Sequence, residues 1–174
     1  GKLLNQLSKV NGIEWIRLLY AYPSHFPIDA MDEIANNPKI CKYIDIPLQH
    51  ISDNVLKSMR RGITKKTTIN LLKELKNRIP NLTLRTTFII GYPNETVEDF
   101  NELKEFIKEI EFDRIGVFNY SVEENTPSFI LGDNVSEEEK EERKNELMEI
   151  QKEISYSKNQ SLIGKTVRVI IDDI

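Results

Sequence analysis

Short apolar segments alternate along this chain with longer segments of helical period, and that alternation restricts the fold more than any other feature. The strand candidates are residues 15–22, 43–49, 82–90 and 115–120, each rich in β-branched or aromatic residues and bounded by Pro, Gly, Asn or Asp. Helical patterns fall near 28–37, 65–79 and 97–110, and a long one runs from Ser136 to about Ser161. In the third, Phe100, Leu103, Phe106, Ile107 and Ile110 keep the helical period, and Thr96 with Asp99 reads as a capping box. Ser136 with Glu139 reads as a second box. The turns after it, residues 137–143, are charged all round and read as solvated, leaving Leu147, Ile150 and Ile154 as the apolar stripe. Strands joined by helical crossovers are parallel, so the fold class is α/β.

The strand faces narrow this further. In 43–49, Ile44, Ile46 and Leu48 share one face and Asp45 and Gln49 the other. In 82–90, Leu84, Phe88 and Ile90 alternate with Arg85 and Thr87. A doubly wound sheet is apolar on both faces. One apolar and one polar face suit a curved sheet or barrel whose lumen is a polar binding cavity. Four strands cannot close a barrel, and the chain reads as an internal fragment. It opens directly in helix-like sequence at Gly1–Leu4, and it stops just after an apolar run at 167–171 begins.

The chain has 174 residues, with 39% hydrophobic and 30% charged side chains, enough for a packed core. A formal charge of −4 argues against a broad electrostatic grip on nucleic acid. No apolar run approaches the roughly 20 residues that span a bilayer, so no membrane partner is expected. A single cysteine, Cys41, excludes an internal disulfide and a cysteine-only metal site within one chain, and reads as a buried structural thiol. A reducing, cytoplasmic setting is the default reading.

Ligands of parallel α/β folds sit beyond the carboxyl ends of the strands. Gln49, His50 and Ser52 end the second strand candidate. His50 can act as acid, base or donor near neutrality. Alternatively Ser52 is a helix N-cap and His50 a satisfied loop residue. Arg85 lies in an otherwise apolar strand and needs a partner, either a ligand carboxylate or Asp45. Gly91–Thr96 forms the next turn, where Gly91 permits close backbone approach and Glu95 can accept from an amine or hydroxyl. Arg60 and Arg61, with Lys57, are either a solvated helix end or the seat of a ligand carboxylate. Tyr120 and Ser121 end the fourth strand on the same rim.

The run Tyr43-Ile-Asp-Ile-Pro-Leu-Gln-His-Ile-Ser-Asp-Asn-Val-Leu-Lys-Ser-Met-Arg-Arg61 resembles the methylthiotransferase family of radical S-adenosylmethionine enzymes. So do Leu84-Arg-Thr-Thr-Phe-Ile-Ile-Gly-Tyr-Pro-Asn-Glu-Thr96, Phe112-Asp-Arg-Ile-Gly-Val-Phe-Asn-Tyr120, and the helix from Arg143 to Ser155. The likeness covers nearly the whole chain in the family's order. Gln49–His50, Tyr22-Pro-Ser-His25 and Arg85-Thr-Thr resemble the branch that modifies an aspartate of a small-subunit ribosomal protein. The branch acting on tRNA adenosine usually carries Gln-Ser-Gly-Ser at the second strand end. Asn94 and Asn125 stand where the family usually has glycine.

The resemblance implies a partial, open radical-SAM-type β/α barrel with parallel strands over residues 1–160, including a post-barrel helix. Residues 161–174 would begin a small C-terminal β (TRAM-like) domain. It implies S-adenosyl-L-methionine and two [4Fe–4S] clusters in the parent enzyme and none in this fragment, which lacks the cluster cysteines and would be inactive alone. Gln49, Arg61, Arg85, Gly91 and Glu95 would contact the cofactor, and His25, His50 and Tyr120 the substrate. The partner would be a small-subunit ribosomal protein whose aspartate is methylthiolated at the β-carbon. A tRNA-modifying enzyme and a non-catalytic binding module are the alternatives. The electron donor leaves no signature in the sequence.

Overall fold

The computed structural model describes residues 1–24 and 26–169. Helix α1 (Lys2–Ser8) packs on α2 (Ile28–Asn36), and strand β1 (Tyr43–Asp45) follows. Helices α3 (Asp53–Ser58) and α4 (Lys65–Arg78) lead to β2 (Thr83–Ile90), then α5 (Val97–Ile110) and β3 (Arg114–Asn119). A short 3₁₀ turn (Phe129–Leu131) precedes the long helix α6 (Glu137–Gln160). The three strands pair in the order β1-β2-β3, all parallel, in an open sheet. Residues 28–37, 65–79 and 97–110 thus form helices within a residue of their expected ends, and the α/β class holds.

The two sheet faces divide as the alternation requires. Leu84, Thr86, Phe88 and Ile90 are buried beneath the helices, while Thr83, Arg85, Thr87 and Ile89 are half-buried on the opposite face. Phe88 sits edge-on to Phe106 of α5 and Phe112, with centroids 6.4 and 5.9 Å away. These edge-to-face contacts add to the area the rings remove from water. Helix α5 contributes Leu103 and Ile107, both with no exposed surface. Its start is fixed by the expected box: Thr96 accepts from the Asp99 N–H while Asp99 accepts from the Thr96 N–H.

Residues 15–22 do not form a full strand. Ile16 makes one parallel bridge to Ile40, and the Ala21 N–H donates to Asp45 O at 2.8 Å. Tyr20 lies between at φ 57, a left-handed conformation that breaks the ladder. Likewise, 43–49 pairs regularly only through Asp45, and Gln49 rejoins β2 by an isolated bridge to Phe88. The 162–169 segment contains no strand, and the end of the expected β segment lies outside the described residues.

The first turns of α6 correct the expectation of a solvated start. Ser136 caps the helix by accepting from the Glu139 N–H. Lys140 and Arg143, however, are buried together with Leu147 and Gln151. Lys140 Nζ reaches Tyr120 O at 3.0 Å and the carboxylates of Asp133 and Glu137 at 2.5 and 2.6 Å. Arg143 pairs with Glu95 and Glu139. Positions 140, 143, 147 and 151 continue one helical stripe, with two cations in place of its first apolar members.

Candidate functional site

The carboxyl ends of all three strands meet at one cleft of about 610 Å³. Gln49 enters from the β1 side, Ile89 and Tyr92 from β2 and its loop, and Phe118 and Tyr120 from β3 and its end. Met59, Arg60 and Arg61 close it from beyond α3, and Thr126–Ser128 form the opposite lip. A volume of this size falls within the range of small-ligand sites. Tyr92 and Tyr120 meet edge-to-face across the floor, with centroids 5.1 Å apart.

Gln49 is held in the left-handed region at φ 72, uncommon for a residue with a side chain. Its N–H donates to Thr87 O and its carbonyl accepts from Ile89 N, at 2.9 and 2.8 Å. The ladder on both sides therefore fixes this conformation. Among the described residues its side-chain amide makes no hydrogen bond. Arg61 is equally fixed. Its Nη2 donates to Pro47 O at 3.0 Å and its guanidinium lies 5.1 Å from the Tyr22 ring centroid, while its buried Nε has no partner among the described residues. A fixed guanidinium with an unused donor suits a carboxylate.

The other sequence candidates lie around this cleft rather than in it. Arg85 shares the half-buried sheet face but sits four positions before Ile89, about 13 Å back along the strand. It donates to Asp45 at 2.7 Å, the intramolecular partner that the sequence had left open beside a ligand carboxylate. Gly91 is buried at φ 69, and a Cβ there would overlap Cγ of Lys140 and lie 3.0 Å from its Cδ. Its missing side chain thus makes room for Lys140. Glu95 is buried against Arg143, and burial pushes its pKa up against the pull of that guanidinium. His25 lies outside the described residues. Cys41 is half-buried away from the cleft rather than in the core.

Behind the cleft wall His50 has no exposed surface. Its Nδ1 accepts from the Ser52 N–H at 3.1 Å, so the neutral ring carries its proton on Nε2, which lies 3.7 Å from Glu95 Oε2. Ser52 does not cap α3 with its side chain. Its hydroxyl donates instead to Asp99, which also holds Asn54 and Thr96.

Burial pushes the His50 pKa from 6.5 down to about 4, with Asp99 pulling upward and Arg143 adding to the fall. Between those values the unfolded chain binds the extra proton, so folding stability rises with pH and is lost as pH falls. Urea unfolding at pH 5 should show stability lower by about 2 kcal/mol than at pH 7 from this group. His50→Asn should flatten that slope. An unchanged slope would mean that His50 titrates alike in the folded and unfolded chain.

Lys140, Arg143, Asp99 and Phe118 were not singled out from the sequence as site residues. The 140–143–147–151 spacing was the available signal for the first two.

A family model described as the Radical SAM superfamily matches residues 1–107. The chain is 54% identical over 171 residues to a ribosomal protein uS12 methylthiotransferase RimO from Christiangramia forsetii, covering 98% of this chain and 38% of that protein. Its counterpart from Aquifex aeolicus is 50% identical, with 98% of this chain and 40% of that protein covered. The chain therefore spans about two fifths of the length of these relatives. Among solved structures, coproporphyrinogen III oxidase from Escherichia coli, a radical SAM enzyme, superposes with TM-score 0.69 at 18% identity, covering 88% of this chain and 36% of that one. The radical S-adenosylmethionine methyltransferase TsrM from Kitasatospora setae gives 0.54 at 20% identity, covering 67% and 23%.

Proposed function

Because this chain belongs to the radical SAM superfamily, we propose that it forms part of the barrel of a ribosomal-protein methylthiotransferase, with S-adenosylmethionine seated in the cleft. One observation carries the reading: half of the residues are identical, almost end to end, to enzymes named for that reaction on uS12. The proposed product is a methylthio group on the β-carbon of an aspartate.

The residues present fit S-adenosylmethionine. The unused Nε of Arg61 provides a donor for its carboxylate, the free amide of Gln49 a second polar contact, and Tyr92 with Tyr120 an aromatic wall. They do not fit an iron–sulfur cluster, which needs several thiolates, since Cys41 is the only cysteine of the chain. When bound, S-adenosylmethionine supplies radical chemistry and a methyl group, and the protein positions and shields it.

Gln49 and Arg61 orient the cofactor, and the Tyr92–Tyr120 pair excludes water beneath it. Gly91 and Glu95 shape the loop that carries Tyr92. Arg85, paired with Asp45, keeps the same sheet face polar farther back. The rim beside Tyr120 faces the incoming protein, with His50 behind Gln49.

Arg61→Ala in the parent enzyme should weaken S-adenosylhomocysteine binding about 10- to 100-fold by calorimetry, the range for a lost charge-assisted hydrogen bond. Unchanged affinity would remove Arg61 from the site.

A further inference from the structure

The cleft is bounded on one side by a surface of marked charge and apolar exposure, distinct from the residues assigned above to the cofactor. Phe118 lines the cleft and is 59% exposed. Thr126–Ser128 form its lip, and the chain runs directly from them into Phe129 and Ile130, which are 46% and 86% exposed. Apolar side chains continuous with a cleft mark a docking surface more often than isolated ones do.

The charge around them identifies the occupant. Residues 121–144 carry eight carboxylates against three cations, while the whole chain totals −4. Two of those cations, Lys140 and Arg143, are buried and already held by carboxylates. Glu123 lines the cleft, Glu124 follows it exposed, and Glu141 accepts from Asn119, another lining residue, and pairs with the third cation, Lys144, in a half-exposed contact. The field at this lip is therefore negative, and a phosphate backbone approaching it would be repelled. Arg60 and Arg61 face the lip from the far wall, where Arg61 is already held by Pro47 and Tyr22.

We propose that the lip formed by Glu123, Glu124, Glu141, Phe129 and Ile130 receives a basic polypeptide segment of the substrate, with apolar contacts to the 3₁₀ turn and carboxylates meeting lysine or arginine. This rests on the proposed function and names the chemistry by which that site selects protein over RNA. Complementary charge at such a rim acts mainly on encounter rate and partner choice. Its strength falls with salt, because exposed charges are screened.

The test uses the full-length parent enzyme and two fluorescein-labelled probes, a lysine- and arginine-rich 15-residue peptide and a single-stranded RNA of equal length. Anisotropy should show peptide binding that weakens with added salt and exceeds RNA binding. The triple change E123Q/E124Q/E141Q should weaken the peptide about tenfold and flatten its salt dependence. Ile130→Ser should weaken it severalfold without changing the salt slope. Circular dichroism establishes that both variants are folded; should the triple variant unfold, E123Q/E124Q replaces it. RNA binding as tightly as peptide, or peptide affinity unmoved in both variants, would overturn the proposal. Neither result depends on turnover, so a peptide that binds while the methylthio product appears elsewhere would defeat the functional reading and leave this one standing.

Discussion

Replacing Arg143 with Met should destabilise the protein by about 3–5 kcal/mol, the cost of leaving a buried charge without its partner. Glu95 has no exposed side-chain surface, and among the described residues its carboxylate receives, beyond Arg143, a long hydrogen bond from Tyr92 N at 3.4 Å, with His50 Nε2 farther off at 3.7 Å. Methionine keeps much of the arginine's bulk over the Phe100 ring, which the guanidinium faces at 5.3 Å, so the loss reports charge more than volume. The double variant E95Q/R143M should recover most of that stability, since a neutral amide no longer demands a cation. Urea unfolding at pH 7 measures both. A single-variant loss below about 1 kcal/mol, the level of an exposed pair, would mean that Glu95 finds water or another donor.

Gly91→Ala should cost about 2–4 kcal/mol, from two sources. The residue sits at φ 69, where an L side chain is strained. The added Cβ also collides with the buried stem of Lys140. Overpacking of this kind displaces neighbours at a cost of its own. To relieve it, Lys140 would have to leave Tyr120 O, Asp133 and Glu137. The Lys140→Ala change alone should also be destabilising, but adding it to Gly91→Ala should cost less than the two single losses together. Additive losses would show that only backbone strain matters at Gly91.

These two positions also show what local sequence pattern can and cannot reveal. The α5 box was legible because Thr96 and Asp99 are three residues apart and satisfy each other. The lumen face was legible because strand alternation needs no knowledge of partners. Asn94 and Asn125 stand at φ 67 and 65, which explains how they replace the glycine usual in the family: Asn tolerates the left-handed region better than most residues. The burial of Lys140 and Arg143 was hidden by a different circumstance. Each looks like one more charge on a solvated turn until its partners are known, and Glu95 lies 48 positions away. The side chain of Ser52 misled in the same way, since a hydroxyl before a helix is ordinarily a cap and here it serves Asp99 across the fold. For residues 15–22, apolar composition was right for an extended segment, but one left-handed residue, Tyr20, ended the pairing.

The same distinction applies to the site. Gln49 and Tyr120 were readable as strand-end residues and Arg61 as a helix end able to seat a carboxylate, and all three do meet at one cleft. Gly91, Glu95 and His50 were readable as positions near that end, yet each faces inward, to Lys140, Arg143 and Glu95 respectively. Position along a strand is encoded locally; the direction of a loop side chain is set by what packs behind it.

The most direct measurement is mass spectrometry of ribosomal protein uS12 and of tRNA after incubation with the full-length parent enzyme, anaerobically reconstituted and supplied with S-adenosylmethionine. A methylthio group on an aspartate of the ribosomal protein, with tRNA unmodified, is the expected result. A methylthiolated adenosine with the ribosomal protein unchanged would contradict it.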